Sequence, residues 1–134
     1  MKQVFAILPC YNEGLNIGVL IDEWNLQRGA LRDAGYDLNV VGIDDCSKDD
    51  TKSKIMQKAT QYDNVTLVAH ETNKGLCGGL NTAIAYFLKN GGKEDLMVLM
   101  DGDNTHSPVY VHSMIRELGN RYDCVIASRY CADS

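Results

Sequence analysis

The 134-residue chain reads as an α/β protein with a mainly parallel sheet and helices on both faces. Two observations predict this class. Short apolar runs alternate, along the whole chain, with segments whose apolar residues recur at helical spacing. Clusters of polar and acidic residues follow directly on several of those runs, as expected where parallel strands deliver ligand-binding groups to their carboxyl ends.

Taken in order, Lys2 to Leu8 is an apolar run closed by Pro9, which predicts a buried strand with a stop. Ile17, Leu20, Ile21 and Trp24 share one helical face, so an amphipathic helix is expected from there to near Gly35. Leu38 to Ile43 is the second strand, and the polar loop Asp44-Asp45-Cys46-Ser47-Lys48-Asp49-Asp50 follows it. Asp50 or Thr51 can cap the next helix, whose apolar face is Ile55, Met56, Ala59 and Tyr62. Val65 to Ala69 is the third strand. The glycine-rich stretch Lys74 to Gly79 reads as a link, after which Leu80, Ala83, Ile84, Phe87 and Leu88 mark the inward face of a third helix. Asn90-Gly91-Gly92 ends that helix. A strand at Leu96 to Met100, a helix from Pro108 to Leu118 and a fifth strand at Asp123 to Ser128 complete the pattern. With no repeat, low-complexity tract or linker, residues 1–134 are expected to form one domain.

The bulk properties narrow the function. A composition 45% hydrophobic and 23% charged is that of an ordinary globular protein, and a net charge of −5 leaves no footprint for nucleic acid. No apolar run approaches the ~20 residues a membrane span requires, and no signal-peptide layout opens the chain, so a cytoplasmic chain without a transmembrane segment is expected. The five cysteines are odd in number and lack a Cys-x-x-Cys pair, which suits reduced thiols. Any phosphate-bearing ligand must then be held by a metal, backbone amides and a few placed basic residues.

Three polar groups fall at strand ends: Pro9-Cys10-Tyr11-Asn12-Glu13, Asp44-Asp45 and Asp101-Gly102-Asp103. Parallel strands put all three on one edge, where unpartnered carboxylates would repel one another. A nucleotide with a chelated divalent ion resolves that repulsion. Asp44 or Asp45 can accept from a base N–H or a ribose hydroxyl, Tyr11 can stack on the base, and Asp101 and Asp103 offer hard oxygen ligands to Mg²⁺ or Mn²⁺. Gly102 lets those two carboxylates converge, and His106 is a further candidate ligand for the metal. Lys74, at the start of the third helix, is available to phosphates.

The segments Leu8-Pro9-Cys10-Tyr11-Asn12-Glu13, Gly42 to Thr51, Asn73-Lys74-Gly75, Met100 to Pro108 and Ala127-Ser128-Arg129-Tyr130 resemble, in order, the signatures of family 2 glycosyltransferases. The nearest flavour is that of polyprenyl-phosphate sugar transferases such as dolichol-phosphate mannosyltransferase. The resemblance implies the Rossmann-like GT-A fold and a nucleotide pocket lined by Pro9, Tyr11, Glu13 and Asp45, beside which Cys10, Asp44, Lys74, Asp101 and Gly102 are further nucleotide-binding candidates. It implies a divalent metal on Asp101 and Asp103, with Arg129 facing the phosphates as a third catalytic residue. The implied reaction moves a sugar from a UDP- or GDP-linked donor, with inversion, to a polyprenyl phosphate or glycan acceptor in cell wall or glycan biosynthesis, at the inner face of the membrane.

Two departures stand out. Thr105 occupies a position where the family often has Gln, and the chain stops at Ser134, before the family's acceptor-binding half. Residues 1–134 are therefore expected to be the sugar-nucleotide-binding part, with catalysis dependent on more chain or a partner. A non-catalytic sugar-nucleotide-binding domain is the first alternative. A nucleotidyltransferase is the second, disfavoured because its glycine-rich, basic first loop is replaced here by the acidic and aromatic Pro9 to Glu13. Sugar, base, acceptor and any homo-oligomer stay open.

Overall fold

In the computed structural model, which describes residues 1–100 and 107–118, four parallel strands form one sheet in the order β3-β2-β1-β4. The elements are β1 (Lys2–Cys10), α1 (Ile17–Leu26), α2 (Arg28–Asp33), β2 (Tyr36–Asp44), α3 (Thr51–Gln61), β3 (Val65–Ala69), α4 (Gly75–Asn90), β4 (Leu96–Leu99) and α5 (Val111–Leu118). A 3-10 turn, Pro108–Tyr110, leads into α5. The fifth strand expected at Asp123 to Ser128 lies outside the described residues.

Side-chain alternation along the central strands sends residues to two apolar layers. Val4, Ala6 and Leu8 of β1 join Leu38 and Val40 of β2 on one face, under Ile17, Leu20, Ile21 and Trp24 of α1, Ile55 of α3 and Val111 of α5. Phe5, Ile7, Val41 and Ile43 line the other, against Ala83 of α4. Both faces of the sheet are thus covered, as parallel strands with few polar positions require. The four α1 residues named from periodicity are all fully buried.

Three boundaries differ from the sequence reading for local reasons. Pro9 does not stop β1, which runs through it to Cys10. Met100 N donates to Ile7 O, so alternate residues of β1 face β4; Pro9 points the same way but beyond the end of that strand, where its missing N–H leaves no acceptor unpaired. The helix expected from Ile17 to Gly35 is divided at Gln27, whose N–H turns back to Trp24 O, although its end at Gly35 is met through a left-handed φ of 95°. The glycine-rich stretch is not a link, because α4 begins at Gly75 and includes Gly78 and Gly79. Its inward face is accordingly narrower than expected: Gly79 and Ala83 are buried, while Leu80 and Ile84 are about 40% exposed and Leu88 is exposed. The small residues allow close approach, a Cβ on Gly79 meeting that of Pro9 at 3.4 Å, and the larger ones are displaced to the flank.

Register fixes where the strands end. Cys10 pairs with Asp44, and Asp44 with Ala69, so Tyr11, Asp45 and His70 leave the sheet side by side at its carboxyl edge.

Candidate functional site

At that edge lies an open cleft of about 440 Å³, a size common for small-molecule sites. Pro9, Cys10, Tyr11 and Glu13 line it from the end of β1 and the loop after it, Ile43 and Asp45 from the end of β2 and its loop, and Asn73, Gly75, Leu76 and Gly79 from the third loop and α4. Five residues named from the sequence therefore converge: Pro9, Cys10, Tyr11, Glu13 and Asp45. Tyr11 is 41% exposed, leaving a ring face available for stacking. Cys10 is buried, and its thiol donates to Leu8 O at 3.1 Å.

The first two loops are zipped together by side chains that accept and donate across them. Asn12, held at a left-handed φ of 53°, donates its N–H to Ser47 Oγ at 2.9 Å and accepts from Lys48 N–H at 2.8 Å. Glu13 N–H donates to the buried Thr51 Oγ1 at 2.8 Å, and Gly14 N–H to Asp49 Oδ2 at 3.0 Å. Thr51 in turn donates its hydroxyl to Asp49 Oδ1. Burial alone would raise the Asp49 carboxyl, but donors from Thr51 and Gly14 outweigh it and hold the group below its ordinary value. Asp49 thus satisfies the first turn of α3 and the Gly14 amide together, and Tyr11 and Glu13 are carried on a braced loop.

Asp44 and Asp45, equivalent in sequence, are separated by the structure. Asp44 is buried and accepts from Ser47 N–H at 3.2 Å, within its own loop. Asp45 lines the cleft and receives three donors: His70 Nδ1 at 2.8 Å and Lys74 N–H at 2.7 Å on Oδ1, and Gly75 N–H at 2.9 Å on Oδ2. Burial pushes its pKa up, yet the bonds from His70, Lys74 and Gly75 prevail and leave it below the usual carboxylate value. Asp45 is consequently an ionised, acceptor-only group. Gly75 reaches it through a φ of 73°, a conformation that strains any side-chain-bearing residue. Lys74 contributes its backbone amide here, with a side chain that is exposed and packed back over Gly78.

Sequence reasoning missed His70, Asn73, Asp49 and Thr51 as parts of this assembly. His70 belongs to no acidic motif, but it follows the end of β3 as Asp45 follows β2, and the strand-end rule applied to every strand would have found it. Asp101, Gly102, Asp103, His106 and Arg129 lie outside the described residues. Among the described residues no group of three or more His, Cys, Asp or Glu is arranged to hold a metal ion. Asp45 is held by three hydrogen-bond donors, and the cleft lining holds two carboxylates without a basic side chain.

The glycosyl transferase family 2 model matches residues 5–134. The chain belongs to glycosyltransferase family 2. As a family 2 member it is 32% identical over 127 residues to the undecaprenyl-phosphate mannosyltransferase of Micrococcus luteus, covering 95% of this chain and 48% of that relative. It is 32% identical over 128 residues to the dolichol-phosphate mannosyltransferase of Pyrococcus furiosus, covering 96% of this chain and 33% of the relative. The chain thus spans about half the length of the first and a third of the second. Among solved structures, the mannosyltransferase PcManGT of Pyrobaculum calidifontis, in complex with GDP-Man and Mn²⁺, superposes with a TM-score of 0.68 at 25% identity, over 87% of this chain and 32% of that one. The expected GT-A, α/β architecture of the family 2 chain is therefore established. Among its described residues, no helix is long and apolar enough to cross a membrane.

Proposed function

We propose that this chain is the donor-binding part of an inverting glycosyltransferase that moves a sugar from a nucleoside-diphosphate sugar to a polyprenyl phosphate. The observation that carries this reading is Asp45, an ionised acceptor fixed by three donors in a cleft at the carboxyl edge of the sheet. Such a group suits a base edge that presents an N–H, as uracil and guanine do. Tyr11 supplies a face on which the base can stack.

The cleft's two carboxylates and lack of a lining cation disfavour a bare diphosphate. Asp101 and Asp103, which follow the end of β4 in sequence, are proposed to hold Mg²⁺ or Mn²⁺, with His106 as a further candidate. Bound there, the ion supplies positive charge to the departing diphosphate. Arg129 is proposed to fork onto phosphate oxygens of donor or acceptor. A lipid phosphate acceptor is already anionic, so its attack needs no strong base from this chain. The names of the Micrococcus and Pyrococcus relatives support that acceptor class, and the GDP-Man and Mn²⁺ in the Pyrobaculum structure support the donor and metal. The reading places the protein at the inner face of the membrane.

Calorimetric titration of UDP- and GDP-sugars, with and without Mn²⁺, on the wild type and on Asp103→Ala tests the site. Metal-dependent binding lost in Asp103→Ala is expected; binding indifferent to both metal and substitution would sink the donor-site model. A second reading is donor binding without transfer. A product assay with undecaprenyl phosphate separates the two.

A further inference from the structure

His70 is the buried titratable group that neither the sequence motifs nor the proposed reaction uses. Its side chain is only 4% exposed, and both ring nitrogens are engaged. Nδ1 lies 2.8 Å from Asp45 Oδ1, and an ionised carboxylate has no proton to give, so Nδ1 is the donor. Nε2 lies 2.7 Å from Thr82 Oγ1, whose own proton reaches Gly78 O at 2.9 Å. Thr82 can therefore accept from an Nε2–H while donating to Gly78 O, or turn its proton to a bare Nε2. Either way Nδ1 keeps its hydrogen, because the threonine hydroxyl adapts and the carboxylate does not.

The consequence falls on Asp45. With His70 and Lys74 both on Oδ1 and Gly75 alone on Oδ2, the carboxylate has one oxygen saturated and one with acceptor capacity left. The amides come from the start of α4, and His70 is anchored to the same helix through Thr82, about two turns further on. We infer that His70 is a positioning residue for base recognition: donating from Nδ1 to Asp45 Oδ1, and braced at Nε2 by Thr82, it sets which carboxylate oxygen remains to accept an N–H from a nucleobase. This rests on the reading of the cleft as a nucleotide site and names the residue that tunes its base selectivity.

Two amide substitutions divide the roles of the ring. In His70→Asn the side-chain N–H₂ falls near the Nδ1 position and preserves the donor to Asp45. In His70→Gln it falls near Nε2 and preserves only the link to Thr82. The 134-residue chain and both variants are titrated with UDP, CDP, GDP and ADP in the presence of Mn²⁺, and the backbone amides of Lys74 and Gly75 are followed by ¹⁵N NMR without nucleotide. The wild type is expected to prefer UDP over CDP or GDP over ADP. His70→Gln should lose about tenfold in affinity for the preferred nucleotide, with a shrunken preference and displaced Lys74 and Gly75 signals. His70→Asn should restore binding to within about threefold, with those signals near their wild-type positions. Thr82→Val, which keeps the ring, is expected to show a smaller change in the same direction and serves if a His70 variant fails to fold. Equal losses in the Asn and Gln variants, an unaltered base preference, or an unshifted preference in Thr82→Val where neither His70 variant folds, overturns the positioning role. A wild type that binds none of the four nucleotides overturns the cleft reading itself, and the base-recognition role with it.

Discussion

At the scale of single residues, close approach governs two positions. Gly42 lies on β2 beneath Ile55 of α3, and a Cβ there would meet the isoleucine Cγ2 at 2.8 Å and Cδ1 at 3.0 Å. Ile55 is fully buried and cannot swing away. Gly42→Ala should therefore destabilise the chain by about 1–3 kcal/mol, measured as a lower urea midpoint with an unchanged slope. Gly75 presents the opposite situation, with open space around its Cα but a φ of 73°. Gly75→Ala is expected to strain the backbone by about 1–2 kcal/mol and to draw its amide off Asp45, so nucleotide affinity falls along with stability. Neither glycine betrays its role in the sequence, since one depends on a helix packed from outside and the other on a carboxylate many residues earlier.

Among the elements, α3 shows how a helix start can serve two loops at once. Its buried Thr51 hydroxyl accepts from Glu13 N–H and donates to Asp49, so Thr51→Val removes both bonds while keeping the side chain's shape. A loss of about 1–3 kcal/mol in thermal or urea unfolding is expected. Weaker nucleotide binding should accompany it, as the loop bearing Tyr11 and Glu13 loosens. The strands and the buried face of α1 were legible in sequence because apolar periodicity records burial directly. The start of α4 was not, because its glycines read as a link, whereas the structure uses Gly75 to turn an amide inward and Gly79 to seat the helix against Pro9. Likewise Asp44 and Asp45 are chemically identical neighbours, and only the emergence of the chain from β2 decides which of them meets His70 and the α4 amides.

For the molecule as a whole, the site is a junction of segments far apart in sequence, so its electrostatics and its stability are linked. Asp45 and Asp49 are both held below their ordinary carboxyl value in the folded state. Each therefore contributes stability that is complete above the unfolded value of about 4 and is lost as pH falls through the lower folded value. Urea midpoints should be flat with respect to these two groups near neutrality and decline below about pH 4, and Asp45→Asn should flatten part of that decline while lowering the plateau. Reading such experiments requires separating damage to the fold from damage to the cleft, and the chain provides its own means. Trp24 is its single tryptophan, fully buried on the α1 face of the sheet, and its indole N–H finds no acceptor among the described residues. Its fluorescence should therefore emit at short wavelength, as from a dry hydrocarbon surrounding, and stay there in any variant whose injury is confined to the cleft. A red-shifted spectrum would mark water at α1, making one optical measurement a control for every binding titration.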